Sequence, residues 1–164
     1  MIGSAVFDPT GAYRYLLTRR WLAFAPPVVF VMLNPSTATA ETDDPTVRRA
    51  IAFAQSWGYG GLDVLNIFAY RSKAPHTLKG VRDPVGPENN RYIQDVTAKA
   101  GRIVVAWGEC GRLQHRDTAV LTLLKDQPLH CLGTTHAGHP RHPLYVAADT
   151  RPIPFVPTTE GTPP

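Results

Sequence analysis

The sequence has few cysteines and no long apolar run. Its two cysteines, Cys110 and Cys131, are too few for a four-cysteine iron–sulfur cluster. No apolar run approaches the roughly 18 residues that span a bilayer, and residues 1–13 lack the basic-then-apolar pattern of a secretory signal. We therefore expect a cytoplasmic protein, and in that reducing compartment we expect two buried free thiols rather than a disulfide.

Charged residues are also scarce. They make up 18% of the 164 residues, whereas apolar residues make up 43%, a balance typical of a globular protein and unlike that of a disordered chain. The length suits one core and is too short for two ordinary domains, and the sequence contains no internal repeat. The formal net charge of +4 is carried mostly by arginine, which permits a polyanionic partner without indicating one.

Short apolar runs predict the strands. Continuous apolar segments bounded by turn residues are typical of strands that are buried on both faces. Four segments fit this description: 28–33, 62–68, 103–107 and 129–132. A further segment, 13–21, alternates weakly and indicates an edge strand or a hairpin arm.

Three helices are predicted between these strands. Asp44 and Pro45 form an N-cap followed by a proline at the first helical position, and apolar residues then recur at helical spacing as far as residue 58. A second helix opens at Pro87 and runs to about residue 100, and a third covers 110–124. The second helix is expected to pack on the sheet through three apolar residues, Ile93, Val96 and Ala100.

The alternation of strands and helices predicts one α/β domain over residues 1–150. Parallel strands in one sheet need a helix between them, so the expected fold is a three-layer α/β/α arrangement around a central, mainly parallel four-stranded sheet. Residues 151–164 are rich in proline and poor in apolar residues, and we expect them to form a loosely attached tail.

Unusual residues follow each of the four core strands. Residues 34–37 (Asn-Pro-Ser-Thr) follow the first strand, Asn66 lies near the end of the second, Trp107 and Gly108 end the third, and residues 134–145 follow the fourth. The carboxyl ends of parallel strands meet at one edge of the sheet, where open α/β sheets bind ligands. We therefore expect the functional residues on the loops at this edge.

The two asparagines also have structural interpretations. Asn34-Pro35 is a common way to end a strand in a turn. Asn66 lies in an apolar run, where a buried amide must find hydrogen-bond partners. It is either a satisfied structural amide or an amide that presents a donor and an acceptor to a ligand.

A group of histidines near the end of the chain suggests a metal site as an alternative. His136, His139 and His142 are spaced three residues apart. However, Pro140 and Pro143 prevent the helix that would gather the three rings on one face. We therefore expect no metal, and we expect either exposed loop histidines or a histidine that contacts a substrate.

The order of these motifs resembles that of the uracil-DNA glycosylase superfamily. The features shared are Asn34-Pro35 after an apolar strand, Asn66 at the end of a later strand, Val-Val-Ala-Trp-Gly at 104–108 and a late His-Pro loop. The sequence resembles more closely a bacterial and phage family of unknown function that is marked by a Leu-Asn-Pro-Ser-Thr segment and a His-Pro-Leu-Tyr segment. The resemblance covers roughly residues 28–145.

The glycosylase resemblance implies a role for each asparagine. Asn34 matches the residue that positions the water attacking the anomeric carbon of the sugar. Asn66 matches the amide that reads the Watson–Crick edge of a flipped base, and we expect Leu33 and Phe68 to contribute to the base-binding group. Such an enzyme holds water on one side of the sugar and stabilises negative charge on the leaving base, with no cofactor.

The same resemblance implies two roles for the late loop. A histidine there bonds a carbonyl oxygen of the base, and His142 or His139 is the candidate. His142 is favoured because it directly precedes Pro143. Leu144 matches an apolar wedge that fills the emptied base stack.

Four further residues are expected to contact the DNA backbone. Ser36 and Thr37 offer hydroxyls and backbone N–H groups beside the flipped nucleotide, while Arg141 and Arg112 follow neighbouring strand ends. The expected partner is DNA, duplex or single-stranded, with neither a membrane nor an obligate protein partner.

Two departures separate this sequence from the superfamily pattern. Met32 stands where the first motif usually has glycine, and the His-Pro-Arg-His-Pro-Leu segment is one residue longer than the usual His-Pro-Ser-Pro-Leu. Asparagine is also a poor general base, so Asn34 orients water rather than deprotonating it. The leading hypothesis is a DNA glycosylase, and the alternatives are a catalytically silent DNA or nucleotide binder and a metal-dependent hydrolase.

Overall fold

The fold is built around one mixed β-sheet. A computed structural model describes residues 1–157, and in these residues the sheet has seven strands. The strands are β1 (Ile2–Phe7), β2 (Arg14–Arg20), β3 (Pro27–Met32), β4 (Gly61–Asn66), β5 (Ile103–Val105), β6 (Leu129–Cys131) and β7 (Ile153–Pro154). The helices are α1 (Pro45–Ser56), α2 (Asn89–Ala98) and α3 (Arg116–Leu123), and 3₁₀ segments lie at Pro75–Gly80, Glu109–His115 and Pro143–Tyr145.

The middle of the sheet is parallel. The strand order is β1-β2-β4-β3-β5-β6-β7, and the four central strands β4, β3, β5 and β6 run in the same direction. These four are the strands predicted from the apolar runs, and each ends one or two residues before its predicted end. The predicted count of four strands is too low for the sheet as a whole, because β1, β2 and β7 add antiparallel strands at its two sides.

Helices lie against both faces of the sheet. Successive side chains of a strand point to opposite faces, and β3 shows this alternation in full. Phe30 and Met32 join an apolar cluster that includes residues of α1, while Val29 and Val31 join a second cluster that includes residues of α2 and α3. Burial on both sides explains why this strand reads as a continuous apolar run.

Helix α1 begins as the sequence predicts. The side chain of Asp44 accepts a hydrogen bond from the Val47 backbone N–H at 2.9 Å, and Pro45 occupies the first turn. A second oxygen of Asp44 accepts from the Ala38 N–H at 3.3 Å. The cap therefore also fixes the loop between β3 and α1, and N-caps of this kind contribute about 1 kcal/mol to stability.

The third predicted helix is only half correct. Residues Glu109–His115 form a 3₁₀ segment, and α3 starts at Arg116. Two consecutive residues, Gln114 and His115, have left-handed φ angles of 56° and 55°, which interrupt the helix. The segment packs on buried Trp107 so closely that a Cβ at Gly111 would lie 2.2 Å from the indole ring. Tertiary packing has here overridden the helical pattern.

The two ends of the described chain also differ from expectation. The segment predicted as an edge strand or a hairpin arm forms β2. It pairs with β1 on one side and with β4 on the other, so it is a hairpin arm and not an edge strand. Part of the predicted tail is not loosely attached, because β7 pairs with β6 and Phe155 is buried in the core. The remainder of that predicted tail, 158–164, lies outside the described residues.

Two simple expectations can be compared with the structure directly. Both cysteines are free thiols, and Cys131 is buried, but Cys110 is exposed rather than buried. Among residues 1–157, no helix is both long and apolar enough to cross a bilayer.

Candidate functional site

A cavity of about 590 Å³ lies at the carboxyl ends of the central parallel strands. The loops after β3, β4 and β5 contribute to its wall, and the loop that follows β6 contributes residues 135, 141, 142, 144 and 145. We call this space the central cavity. Four segments that are far apart in the sequence meet there, as the strand order of a parallel sheet predicts.

The central cavity brings together most of the site residues predicted from the sequence. Seven of them contribute to its wall: Leu33, Asn34, Ser36, Asn66, Arg141, His142 and Leu144. Met32, the residue that departs from the glycosylase pattern, also lines it. The structure thus supports the grouping of these residues, whatever their role.

Four predicted site residues lie elsewhere. Phe68 is fully buried in the core and Thr37 is exposed outside the cavity wall. Arg112 and His139 line a separate lateral cleft beside α3, where the His139 ring lies 4.0 Å from the Asp117 carboxylate. His139 is therefore not brought together with Asn34, whereas His142 lines the same cavity as Asn34.

The orientation of the Asn34 amide is fixed by its neighbours. Its Nδ2 donates to the carbonyl oxygen of Pro35 at 3.0 Å and to that of Ser72 at 2.9 Å. Carbonyl oxygens only accept, so the nitrogen of the amide must face them. Both N–H groups are thereby used, and Oδ1 is the side-chain atom that can accept a hydrogen from a ligand or a water.

Asn66 is held by a buried arginine that the sequence analysis did not single out. Asn66 is 3% exposed, and its Oδ1 accepts from Arg14 at 3.3 Å. The Arg14 guanidinium also donates to the Ala38 carbonyl at 3.1 Å. Burial lowers the pKa of Arg14 to about 10, with Asp44 opposing the shift, so this arginine still carries its charge at neutral pH.

His142 is held in one tautomer by the backbone. Its Nδ1 accepts from the Leu144 N–H at 3.2 Å, at the start of the short 3₁₀ segment. An accepting nitrogen carries no proton, so the neutral ring has its N–H at Nε2. Burial lowers the pKa of His142, and the nearby Asp44 carboxylate acts in the opposite direction. The ring is therefore a neutral hydrogen-bond donor at pH 7.

The late loop, residues 134–145, is anchored beside β5 through Gly108. The Gly108 N–H donates to the Pro140 carbonyl at 2.8 Å, and its φ of +73° belongs to the left-handed region that favours glycine. A Cβ built at Gly108 would lie 3.7 Å from that of His142. The Arg141 N–H donates to the Gly133 carbonyl at 2.9 Å, which closes the loop at its other side.

The charged groups of the central cavity are of both signs. Arg14, Lys73 and Arg141 supply positive charge, while Asp44 and Glu109 supply negative charge. Asp44 is engaged as the cap of α1, and its two oxygens accept backbone N–H groups. It is thus held away from the role of a free general base.

Several residues of the central cavity could not be recognised from sequence alone. Arg14 lies on a strand whose weak alternation gave no sign of burial at a site, and Cys110 carried no motif. Tyr145 ends the His-Pro-Leu-Tyr segment, but the sequence predicted no role for it. Trp107 was noted as unusual, and its indole ring is 1% exposed with an Nε1 that has no hydrogen-bond partner within residues 1–157. Only the pairing of β2 with β4 brings Arg14 to Asn66.

The structure offers no support for the metal alternative. Within residues 1–157, no group of three His, Cys, Asp or Glu side chains is arranged to hold a metal ion. His142 lines the central cavity and His139 lines the lateral cleft, so the proposed ligands face different spaces.

A family model matches most of the chain. Residues 14–144 match the model of the family described as "Protein of unknown function (DUF1643)". The chain belongs to the DUF1643 family. The matched range of this DUF1643 protein begins at the first residue of β2 and contains every residue of the central cavity except Tyr145. No curated protein and no solved structure matches the DUF1643 chain.

Proposed function

We propose that this DUF1643 protein is a DNA glycosylase-like enzyme that hydrolyses the N-glycosidic bond of a uracil-like, damaged or modified base flipped out of DNA. One observation carries the proposal: Asn34, Asn66 and His142 line a single cavity. A volume of about 590 Å³ is in the range of small-molecule sites and accommodates a nucleobase.

The chemistry requires one group to orient water and others to stabilise the leaving base. The water oxygen bonds to the anomeric carbon, the bond from that carbon to the base nitrogen breaks, and its electron pair leaves with the base. The proton lost by the water ends on the base or in solvent. Asn34 Oδ1 accepts a hydrogen from the water, while the N–H groups of His142 and Asn66 donate to the base as its negative charge grows.

The outer part of the central cavity suits a DNA partner, duplex or single-stranded. Arg141 and Lys73 are exposed cations there, and Ser36 adds a hydroxyl. Leu144 is 43% exposed although it is apolar, and Tyr145 beside it is 78% exposed. An exposed apolar pair next to cations is suited to filling the base stack while the cations contact phosphates.

We infer a three-layer, uracil-DNA glycosylase-like arrangement, supported by α1 on one face of the sheet and α2 and α3 on the other. We also infer a cytoplasmic location, supported by the free thiols of Cys110 and Cys131.

A catalytically silent DNA or nucleotide binder is the second candidate. The observation that favours it is the engagement of Asp44, whose two oxygens already accept backbone N–H groups. Asn34 is a poor general base, so a site that relies on it gives a slow reaction or none. In this candidate the central cavity holds a base without cleaving its bond.

A panel of duplexes, each containing one modified base, tests the proposal. Incubation with the protein followed by alkali should break the strand at a responsive base, because alkali cleaves abasic sites. The Asn34→Ala variant should cleave that substrate at least about a hundredfold more slowly, since it removes the water-orienting oxygen. Stable binding of the duplexes without cleavage of any base would support the silent binder, and a folded Asn34→Ala variant that is as fast as wild type would reject the role of Asn34.

A further inference from the structure

Arg14 is an unusual residue for the wall of a ligand cavity because it is almost completely buried. It opens β2, is 2% exposed and lines the central cavity. Its guanidinium donates to the Ala38 carbonyl and to Asn66 Oδ1, and its Nε has no hydrogen-bond partner within residues 1–157. A buried arginine with few partners is costly, so its position beside Asn66 requires an explanation.

The contact with Arg14 determines which way the Asn66 amide faces. A guanidinium has donors and no acceptor, so only the oxygen of the amide can face it. The Asn66 Nδ2 makes no hydrogen bond to any residue in 1–157, although Asn66 is 3% exposed and lines the cavity. Its two N–H groups must therefore find their partner in the cavity, in a ligand or in water.

We propose that Arg14 is a specificity-determining positioning residue that locks the Asn66 amide with its N–H pair toward the ligand, so that the central cavity selects a base edge that carries a carbonyl acceptor. The inference rests on the proposed function in taking the ligand to be a nucleobase. Arg14 acts through Asn66 and is not itself required to touch the ligand. An exocyclic amino group at the same position would place donor against donor and is rejected.

The charge of Arg14 keeps the Asn66 amide in this one orientation, which we call the lock. Although burial lowers its pKa to about 10, the guanidinium remains protonated at neutral pH and cannot become an acceptor. Rotation of the Asn66 amide by a half turn would place its N–H groups against a cation that also only donates. Backbone contacts hold the arginine itself, because the Arg14 N–H donates to the Ala69 carbonyl at 3.0 Å.

Free uracil and free cytosine test the lock without any cleavage step. The two bases have similar size and share the carbonyl at position 2. Position 4 carries a carbonyl in uracil and an amino group in cytosine, and the neighbouring N3 is correspondingly a donor in uracil and an acceptor in cytosine. Titration of each base into isotope-labelled protein, followed by NMR, gives both affinities and reports directly on the side-chain amide of Asn66. Wild type should bind uracil more tightly than cytosine by about tenfold, the cost of one mismatched hydrogen bond at a buried site, and uracil should shift the Asn66 amide signals.

Variants of Arg14 should change the ratio of the two affinities. Arg14→Met keeps much of the side-chain volume but removes the donors, so the Asn66 amide can turn and the preference should fall to about twofold or less. Arg14→Lys restores a donor and should recover part of the preference. Arg19→Met is the matched control, because Arg19 is also buried in β2 but lies outside the central cavity. Its affinity ratio should equal that of wild type.

Asn66→Asp provides a second test should the Arg14→Met protein not fold. An aspartate keeps one oxygen on Arg14 and presents an acceptor instead of N–H groups, so the preference should reverse toward cytosine by about tenfold. An unchanged affinity ratio in a folded Arg14→Met protein, or an Asn66→Asp protein that still prefers uracil, overturns the inference. So does the absence of binding by either base to wild type.

The two proposals fail in different ways. If the protein binds uracil selectively but cleaves no duplex, the positioning role of Arg14 is retained and the glycosylase activity is rejected. If the protein cleaves amino-bearing bases as fast as carbonyl-bearing ones, the glycosylase activity is retained and the positioning role of Arg14 is rejected.

Discussion

At the scale of single residues, the state of His142 is set by two neighbours that act on different atoms. The Leu144 N–H occupies Nδ1, and burial disfavours a second proton on the ring. Protonation would turn Nδ1 into a donor facing another donor. The neutral ring is thus the form that both the loop geometry and the proposed contact with a base require.

Lowering the pH should therefore destabilise the protein through His142. The pKa of this histidine is lower in the folded state than its usual value near 6.5, so below that value the unfolded chain takes up a proton that the folded chain does not. This contribution to stability is complete above about pH 6.5 and is lost as the pH falls toward the folded pKa. Urea unfolding between about pH 8 and pH 5 should give a smaller decrease in unfolding free energy for His142→Gln than for wild type.

His130 requires a separate control in that measurement. Burial and the neighbouring Arg102 lower its pKa as well, so it adds a pH dependence of the same sign. A His130→Gln variant shows how much of the decrease belongs to each histidine. Identical pH profiles for wild type and His142→Gln would show that the ring is not held neutral as described.

Residues at strand ends could be predicted in the site, whereas Arg14 could not. Local sequence defines the positions of three site residues: Asn34 directly follows an apolar run, Asn66 lies near the end of another, and His142 lies between two prolines. Arg14 reaches the central cavity only because β2 pairs antiparallel with β4. That pairing joins segments about 45 residues apart in sequence, and no local pattern encodes it.

At the scale of elements, the helices and strands that could be predicted are those whose stabilising interactions are local in sequence. Helix α1 is specified by its own cap, where Asp44 bonds the Val47 N–H. Residues 110–115 were predicted as the first part of the third helix, but packing on Trp107 and two left-handed residues replace the expected helix there. Strand β7 could not be predicted because its order comes from pairing with β6, which is distant in sequence, and from tertiary packing that buries the adjacent Phe155.

The late loop is an element whose shape is fixed while its tip is exposed. Backbone bonds to Gly108 and Gly133 hold its two sides, and Pro140 and Pro143 restrict its φ angles. Leu144 does not fold back beneath Tyr145 into the core, since both are exposed. In the proposed function, such a preordered loop with an apolar tip would lose little entropy on entering DNA.

Leu144→Ala should accordingly impair reaction on duplex DNA more than on single-stranded DNA. Only in the duplex must a base leave the stack, and an inserted side chain helps to offset the few kcal/mol of unstacking. Rates on the responsive base in both contexts should show a loss of about tenfold or more on the duplex alone. Ile153→Ala is a suitable comparison, because Ile153 is 49% exposed but lies in β7 away from the central cavity. Equal losses on both substrates would exclude the wedge.

At the scale of the whole molecule, the central cavity and the lateral cleft are two separate spaces, and the loop that follows β6 contributes residues to both. The four parallel strands direct their carboxyl ends, and the loops that follow them, toward the central cavity. The lateral cleft beside α3 holds Arg112 and His139 on a different surface. In the proposed function, the net charge of +4 would attract DNA to the molecule as a whole, whereas specific phosphate contacts beside a flipped base would come from cations at the central cavity.

The salt dependence of DNA binding distinguishes the two surfaces. A side chain that neutralises one phosphate releases about one counterion, so its loss reduces the slope of log affinity against log salt concentration by about one unit. Arg141→Gln should show this reduction, because Arg141 lines the central cavity and its Nε donates to the Thr134 carbonyl at 3.1 Å, which holds the exposed side chain in place. Arg112→Gln removes the same charge from the lateral cleft and should leave the slope unchanged. The slopes are obtained by measuring how tightly wild type and both variants bind a duplex with the responsive base from about 50 to about 200 mM salt. Equal slopes for wild type and Arg141→Gln would show that Arg141 contacts no phosphate, and a reduction by Arg112→Gln alone would place the DNA interface at the lateral cleft.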